Sequence, residues 1–470
     1  MAQDIPTSRV RRGTAMGKLV AVQAARGAGV ALSTVRDSDE ERALRIEQAL
    51  ADAAEDLVTV LGSMKGLAMK AGQLLSTFDV LSVFGTKSLT PQQRDRFQRK
   101  LSALYDSAPQ VPYARMRAVV EAEYGQPLDQ VFAEFDERPI GAASIGQVYR
   151  ARLADGRAVA VKVQYPGVDV AVRADLKNLA LVVRLLRTVM PALSDHALLR
   201  ELTTHLAAET DYRVEAAQHD SVARMYRGHP FIRVPEVLLE LCTRRVLVTE
   251  LAEGLRFDEI AALPTAERDR VGEILFRFFA GTMLRERRFT GDPHPGNVLL
   301  APDGTVVFLD FGLFKHMDDT AVDFEIACAR AAAEFRAGDL RTLLVDYGVL
   351  EQDTTASAEL CLRLFHEATG WLLTDAEIRI AEDTAATAIL AFLDPRRGYF
   401  QHLRQQYAPA EHAIARRVEY GTLALLGQLR AGGNWHRIAR EWFYGEPSRT
   451  ELGVLEQQWL TEISQSAYGV

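Results

Sequence analysis

The chain has 470 residues, 48% hydrophobic and 25% charged, with a net charge of −8. That length is about two to three domains' worth and buries about three quarters of its surface on folding, so stability requires neither disulfides nor structural metals. Cys242, Cys328 and Cys361 form no Cys-x-x-Cys pair, which suggests neither a zinc site nor a disulfide framework and points to a reducing compartment; the acidic balance without a long basic run sets nucleic acid aside as the main partner.

Residues 1–36 read as a leader. No uninterrupted apolar run reaches the ~18 residues of a membrane span. The nearest, Met16 to Ser33, is interrupted by Lys18, Gln23 and Arg26, with Arg9, Arg11 and Arg12 upstream. A disordered or protein-docked leader is the plainer reading, and an amphipathic segment lying on a bilayer is the alternative. With no compact apolar core before an Ala-x-Ala site, a cytoplasmic location is expected, with peripheral membrane association left open.

Residues 37–130 form a helical extension. Ala43 to Ser76 is apolar at helical spacing with a break near Gly62, and Lys70 and Gln73, three apart, share one face of the second helix. The helical pattern continues from Pro91 to Val131, with turns at Pro109 and at Gly125-Gln126-Pro127.

Residues 131–250 change character. Phe132–Arg138, Gln147–Leu153 and Ala158–Gln164 read as strands, the last two joined by a turn at Ala154-Asp155-Gly156. The small-residue loop before the second strand lets the backbone N–H groups of Gly141, Ala142, Ala143 and Ser144 approach phosphates. Lys162 in the third strand is expensive to bury without an anionic partner and is placed to reach the α- and β-phosphates. Helices are predicted over Val168–Val189 and Asp195–Tyr226, the second carrying Glu209, Asp211 and Glu215. Glu215 is the candidate ion-pair partner of Lys162, with Glu209 as its competitor. Strands at Arg233–Leu241 and Arg245–Thr249 lead to a hinge, Glu250 to Gly254, where the Glu250 carbonyl and the Ala252 N–H would meet an adenine edge.

Residues 251–470 begin with an apolar helix, Val271–Arg287, and reach GDPHPGNVLLAPDGTVVFLDFG, Gly291 to Gly312. Asn297 lies five residues after Asp292, and Asp310 eighteen after it, the offsets of a kinase catalytic loop and its Asp-Phe-Gly. Mg²⁺ prefers a few oxygen ligands alongside phosphate oxygens, a role for Asn297 and Asp310. Asp292 would orient or deprotonate whatever attacks the γ-phosphate. The turn Pro302-Asp303-Gly304 before TVVFLD predicts a hairpin that brings these acids to one end. No Ala-Pro-Glu follows, so a peptide platform is hard to build, and helical periodicity resumes by about Asp318. Breaks are expected at Gly338, Gly348, Pro395 and Gly432-Gly433, with Trp371, Trp435, Trp442 and Trp459 in the core.

Lys70-Ala-Gly-Gln73, the alanine-rich loop, Glu209-Thr-Asp211, Asp292 with Asn297, and Asp310-Phe-Gly312 together resemble the UbiB family, also called ADCK or aarF-domain atypical kinases. The resemblance implies an α+β, protein-kinase-like two-lobed fold, predominantly helical, with an N-terminal helical extension over the active site. It further implies that Lys70 and Gln73 point into that site and contact the Glu-x-Asp helix, that ATP and Mg²⁺ are the cofactors, and that the activity is closer to an ATPase than to a protein kinase. Isoprenoid-quinone or related lipid metabolism, with its biosynthetic enzymes or lipids as partners, is the implied setting. A true phosphotransferase acting on a protein or small-molecule acceptor, and a nucleotide-switched scaffold without catalysis, are the alternatives.

Overall fold

An Asp-Gly turn between two β-branched runs organises the first sheet. In the computed structural model, which describes residues 111–143, 145–170, 172, 210–290, 293–312, 314–381 and 410–468, Asp155 accepts from the backbone N–H of Arg157 at 3.0 Å and from its guanidinium at 2.8 Å, and Gly156 takes φ +89°. The chain divides into two compact units: one holds the described residues up to Arg213 together with Glu240–Val248, the other Val214–Leu239 and the described residues from Thr249 onward. The leader and most of the expected helical extension, Lys70 and Gln73 included, lie outside the described residues.

In the first unit, helix α1 (Tyr113–Tyr124) stops at Gly125, left-handed at φ +66°, the turn the sequence predicts. Strands β1 (Glu134–Phe135) and β2 (Gly141–Ala143) both pair with β3 (Gly146–Arg152), which pairs with β4 (Ala158–Gln164). The expected strand Phe132–Arg138 is therefore only two residues long, and part of the expected loop is itself strand. The reason is backbone pairing: Ala133, Asp136 and Ile140 donate to carbonyls of β3, so the whole stretch is drawn along one partner. Along β4, Val159, Val161 and Val163 are buried and alternate with half-buried Ala160 and Lys162, so the period of two puts Lys162 on the face opposite the valines.

Helix α2 (Tyr212–Met225) follows, and then a short strand β5 (Ile232–Arg233). The predicted strand Arg233–Leu241 is not formed; it contributes an isolated bridge, Val237 to Thr249, and a 3₁₀ turn at Leu239–Leu241. The chain then returns to the first sheet as β6 (Val246–Glu250), beside β4.

The second unit is mainly helical. After β7 (Leu255–Arg256) and α3 (Phe257–Ala261), helix α4 (Thr265–Phe276) begins six residues before the predicted start, because Pro264 is a natural entry residue and the Thr265-Ala-Glu turn continues it. It runs through a π turn at Arg277–Gly281 into α5 (Thr282–Glu286). Strand β8 (Arg288–Thr290) leads to the hairpin β9 (Val298–Leu300) and β10 (Val306–Phe308), whose turn requires Gly304 at φ +84°. Phe278 stacks on Phe308 with ring centroids 3.6 Å apart, fixing the hairpin on the π turn. Strand β11 (Phe314–His316) pairs back onto β8, a pairing the sequence reading lacked.

Helix α6 (Asp319–Ala333) starts where predicted, capped by Asp318, whose carboxylate accepts from the Thr320 N–H at 2.8 Å. Helices α7 (Ala337–Asp346) and α8 (Ala358–Leu373), strand β12 (Ile378–Arg379), helix α9 (Ala410–Leu429), strand β13 (Gly432–Gly433), and helices α10 (Trp435–Tyr444) and α11 (Glu451–Tyr468) complete the unit. Breaks occur at Gly348 and at Gly432-Gly433 as predicted, while the break expected at Gly338 falls at residues 334–336 and leaves Gly338 inside α7; Pro395 lies outside the described residues. Trp371, Trp435 and Trp459 are core residues, and Trp442 packs half-buried against them. At the π turn the guanidinium of fully buried Arg277 bonds Glu273, both oxygens of Glu441, Glu456 and Thr450 at 2.7–2.9 Å, anchoring the C-terminal helix.

Candidate functional site

The chemistry-bearing residues fall into two groups, one in each unit. In the first unit, the backbone at Gly141 and Ala142 is exposed and that at Ala143 is half-buried, a strand edge turning back at Gly146. A Cβ at Gly146 would stand 2.2 Å from the Val163 carbonyl oxygen and 3.1 Å from the Tyr212 hydroxyl. Only glycine lets the loop's end press onto β4 at that point. One residue back along β4, the Lys162 ammonium lies 5.1 Å from the centre of the Tyr212 ring, an attraction between cation and aromatic face. Ser144 lies outside the described residues.

Asp211 does not belong to the helix it was assigned to. Helical structure begins at Tyr212, so of the predicted helix Asp195–Tyr226 the described part runs only Tyr212–Met225 and leaves Thr210 and Asp211 outside it. The Asp211 carboxylate accepts from the backbone N–H of Arg213 at 3.1 Å and takes the Arg213 guanidinium on both oxygens, at 2.9 and 2.6 Å. An aspartate that satisfies the open N–H groups of a helix start prefers the non-helical cap position, which is why the helix starts after it. The Arg213 bond is the main reason its carboxyl sits below the ordinary aspartate range. Glu209, the other acid of that motif, lies outside the described residues.

In the second unit the hairpin delivers two of the expected oxygen ligands. Asn297 ends a 3₁₀ turn whose start is held by His294, its Nδ1 accepting from the Gly296 N–H at 3.0 Å. The Asn297 carbonyl accepts from the Leu309 N–H at 3.0 Å, so the Asn297 turn is tied to the residue before Asp310. Asp310 in turn accepts from the Gly312 N–H at 2.9 Å, shaping the Asp-Phe-Gly turn. Glu215, 7% exposed, reaches the same turn from α2: a Cβ on Gly312 would stand 3.4 Å from an Asp310 carboxylate oxygen and 3.8 Å from one of Glu215. Asp292 lies outside the described residues.

Glu250 and Ala252, the expected hinge pair, are both half-buried. Glu250 donates its N–H to the Glu236 carbonyl at 2.8 Å, and its carboxylate pairs with Arg233.

Two residues were missed. His219 is four residues after Glu215, a spacing that puts both on one face of α2, and it packs on Phe311. Tyr212 was passed over because an aromatic at a helix start carries no pattern of its own.

The oxygen donors fit a hard cation. Asn297 offers an amide oxygen and Asp310 a carboxylate, and among the described residues no cluster of three or more His, Cys, Asp or Glu forms an all-protein cage. An amide oxygen and a carboxylate are donor types that suit a hard cation sharing phosphate oxygens.

A family profile described as the ABC1 atypical kinase-like domain matches residues 103–339. The chain is 33% identical over 337 residues to the atypical kinase COQ8B, mitochondrial, of Rattus norvegicus, covering 71% of this chain and 61% of that protein. It is 33% identical over 294 residues to AarF domain-containing protein kinase 1 of Mus musculus, covering 60% and 53% respectively. The chain thus spans less than two thirds of the length of these curated relatives. The solved Rv3197–erythromycin complex from Mycobacterium tuberculosis superposes with a TM-score of 0.62 at 30% identity, covering 85% of this chain and 98% of that one. No helix among the described residues is long and apolar enough to cross a membrane.

Proposed function

The chain belongs to the ABC1 atypical kinase-like family, also called UbiB or ADCK, and from that premise we propose that it binds ATP with Mg²⁺ and hydrolyses it slowly in support of isoprenoid-quinone or related lipid metabolism. The observation that carries this reading is the tie between the Asn297 turn and the Asp-Phe-Gly turn through the Leu309 N–H, with Glu215 at the same glycine.

Asn297 and Asp310 are the residues to hold the metal, whose charge when bound neutralises phosphate oxygens. Lys162 is the cation for the α- and β-phosphates, with the exposed backbone of Gly141 and Ala142 as further donors. Asp292 is assigned to orient water or an acceptor hydroxyl, and Lys70 and Gln73 to act as a built-in lid. The lipid pathway rests on the family resemblance, with any membrane contact peripheral. Binding of Mg·ATP and release of phosphate, measured on the intact protein and on Asp310→Asn, test the assignment. The variant should lose Mg²⁺-dependent nucleotide binding; unchanged binding sinks the site.

A second reading, true phosphoryl transfer, is favoured by the name of the mouse relative, a protein kinase. The same acids serve either acceptor. Labelled ATP incubated with cell extract separates the two: stoichiometric label on a defined acceptor supports transfer, and free phosphate alone supports hydrolysis.

A further inference from the structure

Helix α9 carries a buried glycine in its interior, Gly421, between the core residues Val418 and Leu423. Glycine weakens a helix because it gives up more backbone freedom on folding than any other residue, so a buried one in mid-helix points to a space that a side chain would fill. Here that space is taken by Pro293. A Cβ on Gly421 would stand 2.9, 3.0 and 3.3 Å from the Cγ, Cβ and Cδ of the proline ring. A change of ring pucker moves Cγ but leaves Cβ in place, so the ring cannot fold away from an added methyl group. Strand β8, which leads into this stretch, also lies against α9.

Pro293 is the entry to the turn that presents Asn297. The next residue, His294, starts the 3₁₀ turn Pro295–Asn297: its Nδ1 accepts from the Gly296 N–H and its carbonyl from the Asn297 N–H, each at 3.0 Å. At the exit, the Asn297 carbonyl accepts from the Leu309 N–H at 3.0 Å. Proline has no N–H to donate, so at the entry the fit of its ring onto bare helix backbone does what a hydrogen bond does at the exit. Close-packed contacts of this kind pass a displacement on rather than absorbing it.

We propose that Gly421 is a positioning residue for Asn297: the gap it leaves in α9 seats the Pro293 ring and so fixes how the 3₁₀ turn presents the Asn297 amide to a metal ion. The inference rests on the reading of Asn297 as a metal ligand. Gly421 itself touches neither metal nor nucleotide; it acts through the proline.

Gly421→Ala adds one methyl group and raises helix propensity, so the variant should fold, as circular dichroism checks. Calorimetric binding of ATP to the full chain across a Mg²⁺ series should show the Mg²⁺ midpoint raised by about tenfold, with ATP binding in excess chelator unchanged. A residue that served stability alone would leave that midpoint where it is. Amide exchange without nucleotide should be about tenfold faster at Gly296 and Asn297. Pro293→Ala removes the crowding Cγ and Cδ, so in the variant carrying both substitutions the combined effect should fall short of the product of the single effects by at least about threefold. A wild-type Mg²⁺ midpoint in Gly421→Ala, wild-type exchange, or effects that simply multiply would each overturn the proposal. A wild-type protein without Mg²⁺-dependent ATP binding would sink the nucleotide reading instead, and the exchange rates would still decide whether Gly421 seats the turn. Where Gly421→Ala does not fold, Pro293→Ala decides alone by the same exchange at Gly296 and Asn297.

Discussion

The imidazole of His219 packs against the ring of Phe311, centroids 4.7 Å apart, while its Nε2 lies 3.0 Å from the Pro235 carbonyl oxygen. One buried side chain therefore joins helix α2, which carries Glu215, to the Asp-Phe-Gly turn that carries Asp310. Its packing on Phe311 is one contact through which a shift of α2 along its axis would be felt at the turn that carries Asp310.

His219→Leu keeps most of that volume but leaves the Pro235 carbonyl without its donor. The expected loss is about 1–3 kcal/mol in urea unfolding, with weaker Mg²⁺-dependent nucleotide binding beyond what the folded fraction explains. A variant with full stability and full binding would show that this residue positions nothing.

Asp211 is expected to act as a helix cap. Asp211→Ala should cost about 1 kcal/mol of stability, and Asp211→Asn, which keeps an accepting oxygen, should recover most of it. If Asn is as damaging as Ala, the Arg213 ion pair and not the cap is what matters here.

Gly146→Ala forces a Cβ to within 2.2 Å of the Val163 carbonyl oxygen, which lies in backbone that cannot move aside cheaply. A loss of about 1–3 kcal/mol is expected from this overpacking, visible as a lower midpoint with the m-value unchanged. Gly141→Ala meets nothing within 4 Å and serves as the control that should leave stability close to wild type.

In the Arg277 network a fully buried guanidinium meets two nearly buried carboxylates. Arg277→Met removes one partner and leaves Glu441 and Glu456 facing each other in the interior, so a loss of about 3–5 kcal/mol is expected in chemical denaturation. A loss below 1 kcal/mol would mean that the carboxylates find water or protons at little cost.

Glu456 gives that network a pH signature. Burial alone would raise its carboxyl, but His229, Arg285 and Arg277 outweigh burial and hold it at about 2. His229 accepts from the Ile232 N–H at 3.1 Å through Nδ1, which leaves its protonated Nε2 facing Glu456 at 3.5 Å. Because the folded carboxyl is the stronger acid, the unfolded chain binds the proton first. The stabilisation is therefore complete above about pH 4.5 and is lost as pH falls toward 2, about 3 kcal/mol in all. Glu456→Gln should flatten the stability profile across that window, and an unchanged slope would assign the acid sensitivity to other groups.

The readable parts were those with local causes. The β3–β4 hairpin followed from Asp155-Gly156 between valine-rich runs, the β9–β10 hairpin from Pro302-Asp303-Gly304, and the start of α6 from Asp318. The family followed from spaced motifs, and the ABC1 match bears that out. Predictions failed where pairing or capping at a distance decided the outcome: Gly141–Ala143 became strand because β3 offered it partners, and of the expected strand Arg233–Leu241 only Arg233 is in a strand, paired beside β10.

Composition and motif spacing determined by themselves which oxygen and nitrogen groups are candidates for phosphate and metal chemistry, because turn residues and strand periodicity act over a few positions. Which of those groups meet was decided only by the tertiary structure. Asp211 turned back to cap its own helix, while Glu215, one turn further on, reached the Gly312 turn nearly a hundred residues away. The physical reason is that a carboxylate takes the nearest donors its backbone allows, and only the packing of α2 against the Asp-Phe-Gly turn settles which donors are near.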